Sequence, residues 1–246
     1  MENIGPLLLS LIAGISTVLG MVFLYIKTNK INEYIVFSLS LSFIILLCIS
    51  LFDLIPNSLL YLIGNYKLIL GVILSILVFI LGFTLIDYIN SKITIKNNSS
   101  LYRVGILSMI ALILHNVPEG IAIYISSNIN INYGIKLFIA IMIHNIIEGI
   151  IIAVPIYYST NSKIKALLYT LIAGLSEPLG AVMSYLLLRN YLNELILSFI
   201  LIFVSGLMIN LAINDILKEA LKYKKKLYMK LGIIIGLIIF IVLSLF

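Results

Sequence analysis

The chain has 246 residues, 62% of them hydrophobic and 11% charged, with a mean hydropathy of +1.20. Soluble domains are about 45–50% apolar and about 25% charged. This composition therefore excludes a water-soluble enzyme, a nucleic-acid-binding domain and a disordered chain, and leaves a polytopic membrane protein. One cysteine, Cys48, and two histidines exclude an internal disulfide, a thiolate cluster and a three-histidine zinc site. Met1-Glu2-Asn3 lacks the basic stretch that opens a signal peptide, so none is expected.

A helix needs about 20 apolar residues to cross a bilayer core of roughly 30 Å. Eight runs qualify in chain order: Pro6–Ile26, Tyr34–Phe52, Leu68–Ile86, Val104–Ser127, Leu137–Tyr158, Ala166–Leu188, Leu195–Ile213 and Leu227–Phe246. None alternates as a barrel strand would. The expected fold class is all-α, a single transmembrane domain over residues 1–246. Thirteen of the sixteen Lys and Arg follow spans 1, 3, 5 and 7, whereas Lys67, Lys136 and Arg189 follow spans 2, 4 and 6. The positive-inside rule puts the first set in the cytoplasm and both termini outside. The basic run Lys222–Lys226 is then a solvated membrane-facing surface rather than a nucleic-acid site. The tyrosines read as interfacial anchors.

Leu11–Gly20 and Leu171–Gly180 share seven identities in ten at an offset of 160, and Asp53–Leu59 resembles Asp215–Leu221 at an offset of 162. By the charge bias, span 1 runs inward and span 6 outward. Spans 1–3 and 6–8 then form an inverted repeat around spans 4 and 5, an arrangement typical of secondary transporters with a midplane site.

Spans 4 and 5 carry both histidines, in His115-Asn116-Val117-Pro118-Glu119-Gly120 and His144-Asn145-Ile146-Ile147-Glu148-Gly149. Residues i and i+4 share a helix face. Pro118 frees the carbonyl of Leu114, and Gly120 and Gly149 permit close helix approach. At 1.5 Å per residue, the two motifs and Glu177 of span 6 lie about 14–20 Å into their spans, near the midplane. Each buried carboxylate costs on the order of 3 kcal/mol to insert, so three together require protons or a cation. Imidazole nitrogen, carboxylate and amide oxygen suit Zn²⁺, Fe²⁺, Mn²⁺ or Cd²⁺, and the lack of sulfur ligands argues against Cu(I). A lone intramembrane histidine is most simply hydrogen-bonded to a neighbour. Two copies of one motif at one depth, with a third Glu, point instead to a site.

These motifs, with Leu175-Ser176-Glu177-Pro178-Leu179-Gly180, resemble the ZIP (Zrt-, Irt-like) metal transporters and their ZupT-like prokaryotic branch; the likeness runs from Pro6 to about Leu221. The resemblance implies eight helices with external termini, a plasma-membrane location, and import of Zn²⁺ and related ions (Fe²⁺, Mn²⁺, Co²⁺, Cd²⁺). It implies no prosthetic group and leaves a homodimer open. It further implies a binuclear centre: one subsite from His115, Glu119, His144 and Glu148, the other from Asn116, Glu119, Asn145, Glu148 and Glu177, with Glu119 and Glu148 bridging. Three departures stand out. Ile147 replaces a proline, Lys218 replaces another, and the loop between spans 3 and 4 (Asn90–Tyr102) lacks histidine.

Two other functions compete. A membrane metallohydrolase needs an open metal site holding an activated water, for which H-N-x-x-E offers little. A metal sensor or scaffold would bind metal without moving it. Counting along the helices, Asp53 is expected at the outer mouth, where span 2 ends, and Asp215 at the inner mouth.

Overall fold

The computed structural model describes residues 4–26, 28–92, 99–188 and 194–244. Lys27, Lys96, Arg189, the polar centre of the loop between the third and fourth spans, and both chain ends counted above lie outside them. The described residues form eight helical rods and no strand: α1 (Ile4–Tyr25), α2 (Ile31–Tyr66), α3 (Leu68–Lys92), α4 (Ser100–Ile129), α5 (Ile131–Thr160), α6 (Lys163–Leu186), α7 (Leu195–Lys222) and α8 (Lys226–Leu243). The first seven are long and apolar enough to cross a membrane. The eighth has 18 residues, about 27 Å at helical rise.

Two rods are much longer than the apolar runs suggest. α2 continues thirteen residues beyond Asp53 to Tyr66, and α7 continues beyond Asp215 to Lys222. Sequence reading stops at each aspartate because a charge, and in α2 also Pro56, marks an exit. Instead each aspartate sits in a π turn, Ser50–Leu54 or Leu211–Leu217. A π turn widens the backbone ladder by one residue. In α2 this lets the helix resume with Pro56 in its first turn, where the missing N–H costs little.

The polarity of the bundle is inverted relative to a soluble protein. Apolar side chains such as Ile69 and Leu81 of α3 face outward, while His115, Asn116, Asn145, Glu148 and Glu177 are fully buried. On α3 only Gly71, Ser75, Gly82 and Ile86 are buried, a strip of mainly small residues at helical spacing. Small residues let backbones approach where water supplies no driving force. A Cβ on Gly82 would stand 1.8 Å from the carbonyl oxygen of Phe203 on α7.

α1, α4, α5 and α6 pack on one another; α8 packs along α2, and α3 along α7. Within the first group the contacts come in matching pairs. Gly14 meets the carbonyl of Gly174, and Gly174 that of Gly14. Gly149 of α5 meets Thr17 of α1, and Gly120 of α4 meets Glu177 of α6.

Candidate metal centre

Tight turns set the depth of the two motifs. Asn130 ends α4 and also caps α5, its side chain accepting from the backbone N–H of Asn132. His115 lies fourteen residues before Ile129 and His144 thirteen after Ile131, so both sit about 20 Å from this shared turn. At the other end of α5, Asn161 adopts the left-handed conformation (φ 51°) and Ser162 caps α6 through the N–H of Lys165. Glu177, fourteen residues into α6, thereby returns to the same level.

The imidazoles and carboxylates converge there. His144 Nε2 and Glu119 Oε1 share a hydrogen bond of 2.9 Å. His115 Nε2 lies 3.0 Å from Glu119 Oε1 and 3.4 Å from Glu148 Oε1. The two imidazole centroids are 6.4 Å apart. One ligand atom from each of His115, His144 and Glu148 lies within 4.8 Å of the others. Donors of one tetrahedral zinc ion stand about 3.4 Å apart, so closing on an ion takes a pairwise approach of at most about 1.4 Å, shared between the two side chains.

Both asparagines are anchored by their amide nitrogens. Asn116 Nδ2 donates to the carbonyl of Ala173 on α6 at 3.2 Å. Asn145 Nδ2 donates to the carbonyl of Ala13 on α1 at 3.0 Å and to Glu177 Oε2 at 2.5 Å. Each amide oxygen is thus left over. Asn116 Oδ1, Asn145 Oδ1, Glu119 Oε2, both Glu148 oxygens and Glu177 Oε1 are buried with no hydrogen-bond donor among the described residues. A buried acceptor left unpaired costs about 1–3 kcal/mol, more when charged. Six such oxygens, on three adjoining helices, form a set that a hard or borderline cation satisfies and that no protein donor does.

A cavity of about 300 Å³ reaches this cluster between α2, α5 and α8, lined by Ile49, Phe52, Asp53, Ala140, His144 and Phe240. Only His144 and Glu119 among the clustered side chains are reached by solvent, 12% and 8% exposed. Asp53 stands at the mouth of a cavity, as counting along the helix suggests, but α2 does not end there. It lies about 33 Å along α2 from Ile31, held by Asn57 Nδ2 at 2.8 Å, in the wall of the cavity that leads to His144. Composition and spacing give no signal for the helix running on past it, because the π turn at Ser50–Leu54 has no sequence signature. Asp215 sits about 30 Å along α7, accepting from Asn90 Nδ2 at 3.4 Å. Ile147 leaves the α5 motif without a proline, but Pro155 interrupts the same helix two turns on.

A multi-pass helical bundle that buries imidazoles and carboxylates beside a blind cavity is the architecture of a metal-ion transporter. The comparisons agree and are more specific. The family model described as ZIP Zinc transporter matches residues 91–244, and the chain belongs to that family. It is ZupT-like. The Zinc transporter ZupT of Clostridium perfringens (strain 13 / Type A) is 31% identical over 225 residues, covering 78% of each chain. That of Streptococcus mutans serotype c (strain ATCC 700610 / UA159) is 32% identical over 203 residues, 77% of each. That of Enterobacter sp. (strain 638) is 31% identical over 207 residues, covering 79% of this chain and 78% of the relative. The chain is accordingly a metal transporter and not an enzyme, which disposes of the hydrolase alternative.

Proposed function

We propose that the protein imports divalent transition-metal ions, zinc foremost, across the plasma membrane into the cytoplasm, through a two-ion site at the midplane. The observation that carries this reading is the set of six buried, donor-less oxygens beside two imidazoles. His115, Glu119, His144 and Glu148 hold one ion. Asn116, Glu119, Asn145, Glu148 and Glu177 hold the other, and the two shared glutamates bridge. Relatives named as zinc transporters support zinc as the cargo; nitrogen and oxygen ligands also admit Fe²⁺, Mn²⁺, Co²⁺ and Cd²⁺.

Charge supports this direction. The loop bias puts the cavity of Asp53 on the external side, where a carboxylate raises the local concentration of cations by its potential. Ions then meet His144 first, since it lines the cavity, and next Glu119, its hydrogen-bond partner. Asp215, at the opposite end of its rod, draws them toward the cytoplasm. The reciprocal contacts of Gly14 with Gly174, and the π turns at both aspartates, support reading α1–α3 and α6–α8 as inverted copies.

Radiolabelled zinc flux into liposomes carrying the purified protein tests the function. Uptake that saturates, and that is lost in Glu119→Gln, is expected. Binding without flux would favour a sensor or scaffold.

A further inference from the structure

A second cavity, of about 280 Å³, lies where α7 turns into α8. It plays no part in the path described above. Leu221, Met229 and the aliphatic stems of Lys224, Lys225, Lys226 and Lys230 give it almost wholly apolar walls, and Lys224, Lys226 and Lys230 are exposed at its rim. The turn is tight: Lys224 adopts φ 56°, the left-handed region that a lysine rarely occupies. Two neighbouring ammonium groups are committed elsewhere. Lys225 Nζ is 2.7 Å from Glu33 Oε1 on α2, and Lys222 Nζ is 2.6 Å from Glu219 Oε2. Lys224, Lys226 and Lys230 have no carboxylate partner among the described residues. Three unneutralised cations around one small cavity repel one another. They also crowd the start of α8, where the helix field disfavours positive charge. The rim of the cavity is complementary to an anion.

The anion must suit an apolar wall at the membrane boundary. On α8, Leu227, Leu231 and Ile234 form an exposed apolar stripe that starts next to Lys226 and runs along the rod beside the face lining the cavity. By the loop bias the cavity faces the cytoplasmic leaflet, where anionic lipids concentrate and each nearby lysine contributes to their binding.

We propose that this cavity binds the phosphate headgroup of an anionic phospholipid. Lys224, Lys226 and Lys230 contact the phosphate, Leu221 and Met229 the glycerol region, and the α8 stripe an acyl chain. The leaflet rests on the topology read above, but the binding does not.

Native mass spectrometry of the full chain in neutral detergent tests this by titrating phosphatidylglycerol, phosphatidylcholine or inorganic phosphate. Phosphatidylglycerol should be retained at least tenfold more tightly than phosphatidylcholine, and millimolar phosphate should not displace it. The triple variant K224Q/K226Q/K230Q should lose on the order of tenfold to a hundredfold in phosphatidylglycerol affinity, while K224R/K226R/K230R keeps it. Equal retention of the two lipids overturns the proposal, as does an unchanged glutamine variant. Displacement by phosphate alone makes the cavity a free-anion site and overturns the lipid assignment. Zinc binding read on the same samples separates the two ideas: loss of lipid selectivity with zinc retained sinks only this one.

Discussion

Gly149 offers the sharpest perturbation of the proposed site that touches no ligand. A Cβ there would stand 1.8 Å from the carbonyl oxygen of Thr17 and 3.2 Å from the Cα of Gly20. Both are backbone atoms of α1, so no rotamer change relieves the clash. Ordinary carbon–oxygen contact is about 3.3 Å, and α5 must therefore draw back from α1 by about 1.5 Å. Glu148 is the preceding residue and moves with it. Metal sites hold their ligands to within about 0.2 Å, several times less than this displacement. Gly149→Ala should weaken zinc binding by about tenfold to a hundredfold, the cost typical of losing a group that supports a ligand. It should also destabilise the fold by about 1–3 kcal/mol. Competition between the purified protein and a zinc chelator measures the first, and a thermal melt the second. Gly64→Ala is the control: nothing lies within 4 Å of its Cβ, so affinity should stay put. A Gly149→Ala protein that binds zinc within twofold of the parent would refute the claim that α1 sets the position of Glu148.

Further outcomes follow from the same account. Glu119→Gln and Glu148→Gln should each abolish zinc flux, whereas Asn116→Ala should leave part of it, because water can replace a neutral amide oxygen. Asn145→Ala should cost more than Asn116→Ala, since Asn145 also holds Glu177; equal losses in flux assays would contradict that bond's role. Asp53→Asn should raise the apparent KM more at low ionic strength than at high, because an exposed charge acts through a field that salt screens; an unchanged KM at both would reduce Asp53 to a structural residue. Bound zinc must displace protons from histidine and carboxylate. Equilibrium affinity should therefore fall with acid by more than one proton per ion, and the slope should flatten in the double variant His115→Ala/His144→Ala. For orientation, Lys67→Cys should react with an impermeant maleimide from outside intact cells and Asn161→Cys should not; the reverse pattern would invert the direction of transport.

Much of this was legible in the sequence because it rests on periodicity. His and Glu four apart share a helix face whatever surrounds them, and the motifs His115–Gly120 and His144–Gly149 do converge. Glu177, on the next helix, comes to the same level by the count of residues along its rod and meets Asn145. What stayed hidden depends on backbone atoms, which carry no residue type. The carbonyls of Ala13 and Ala173 fix the two asparagines, and any residue supplies a carbonyl. The π turns at Asp53 and Asp215 lengthen α2 and α7 past the point where charge suggested an end. Asp53 therefore stands at the mouth of the cavity within a rod that runs on past it. The basic residues at the start of α8 read from the sequence alone as solvated surface; the cavity they line, beside the left-handed turn at Lys224, has no sequence signal.

The central claim is that the imidazole–carboxylate cluster holds two metal ions. X-ray absorption at the zinc edge of the loaded protein tests it directly. The account predicts a shell of nitrogen and oxygen at about 2.0–2.1 Å and a second zinc at about 3.5–4 Å, with the zinc–zinc feature lost in Glu148→Gln. A sulfur shell at about 2.3 Å, or a spectrum that Glu148→Gln leaves unchanged, would contradict it.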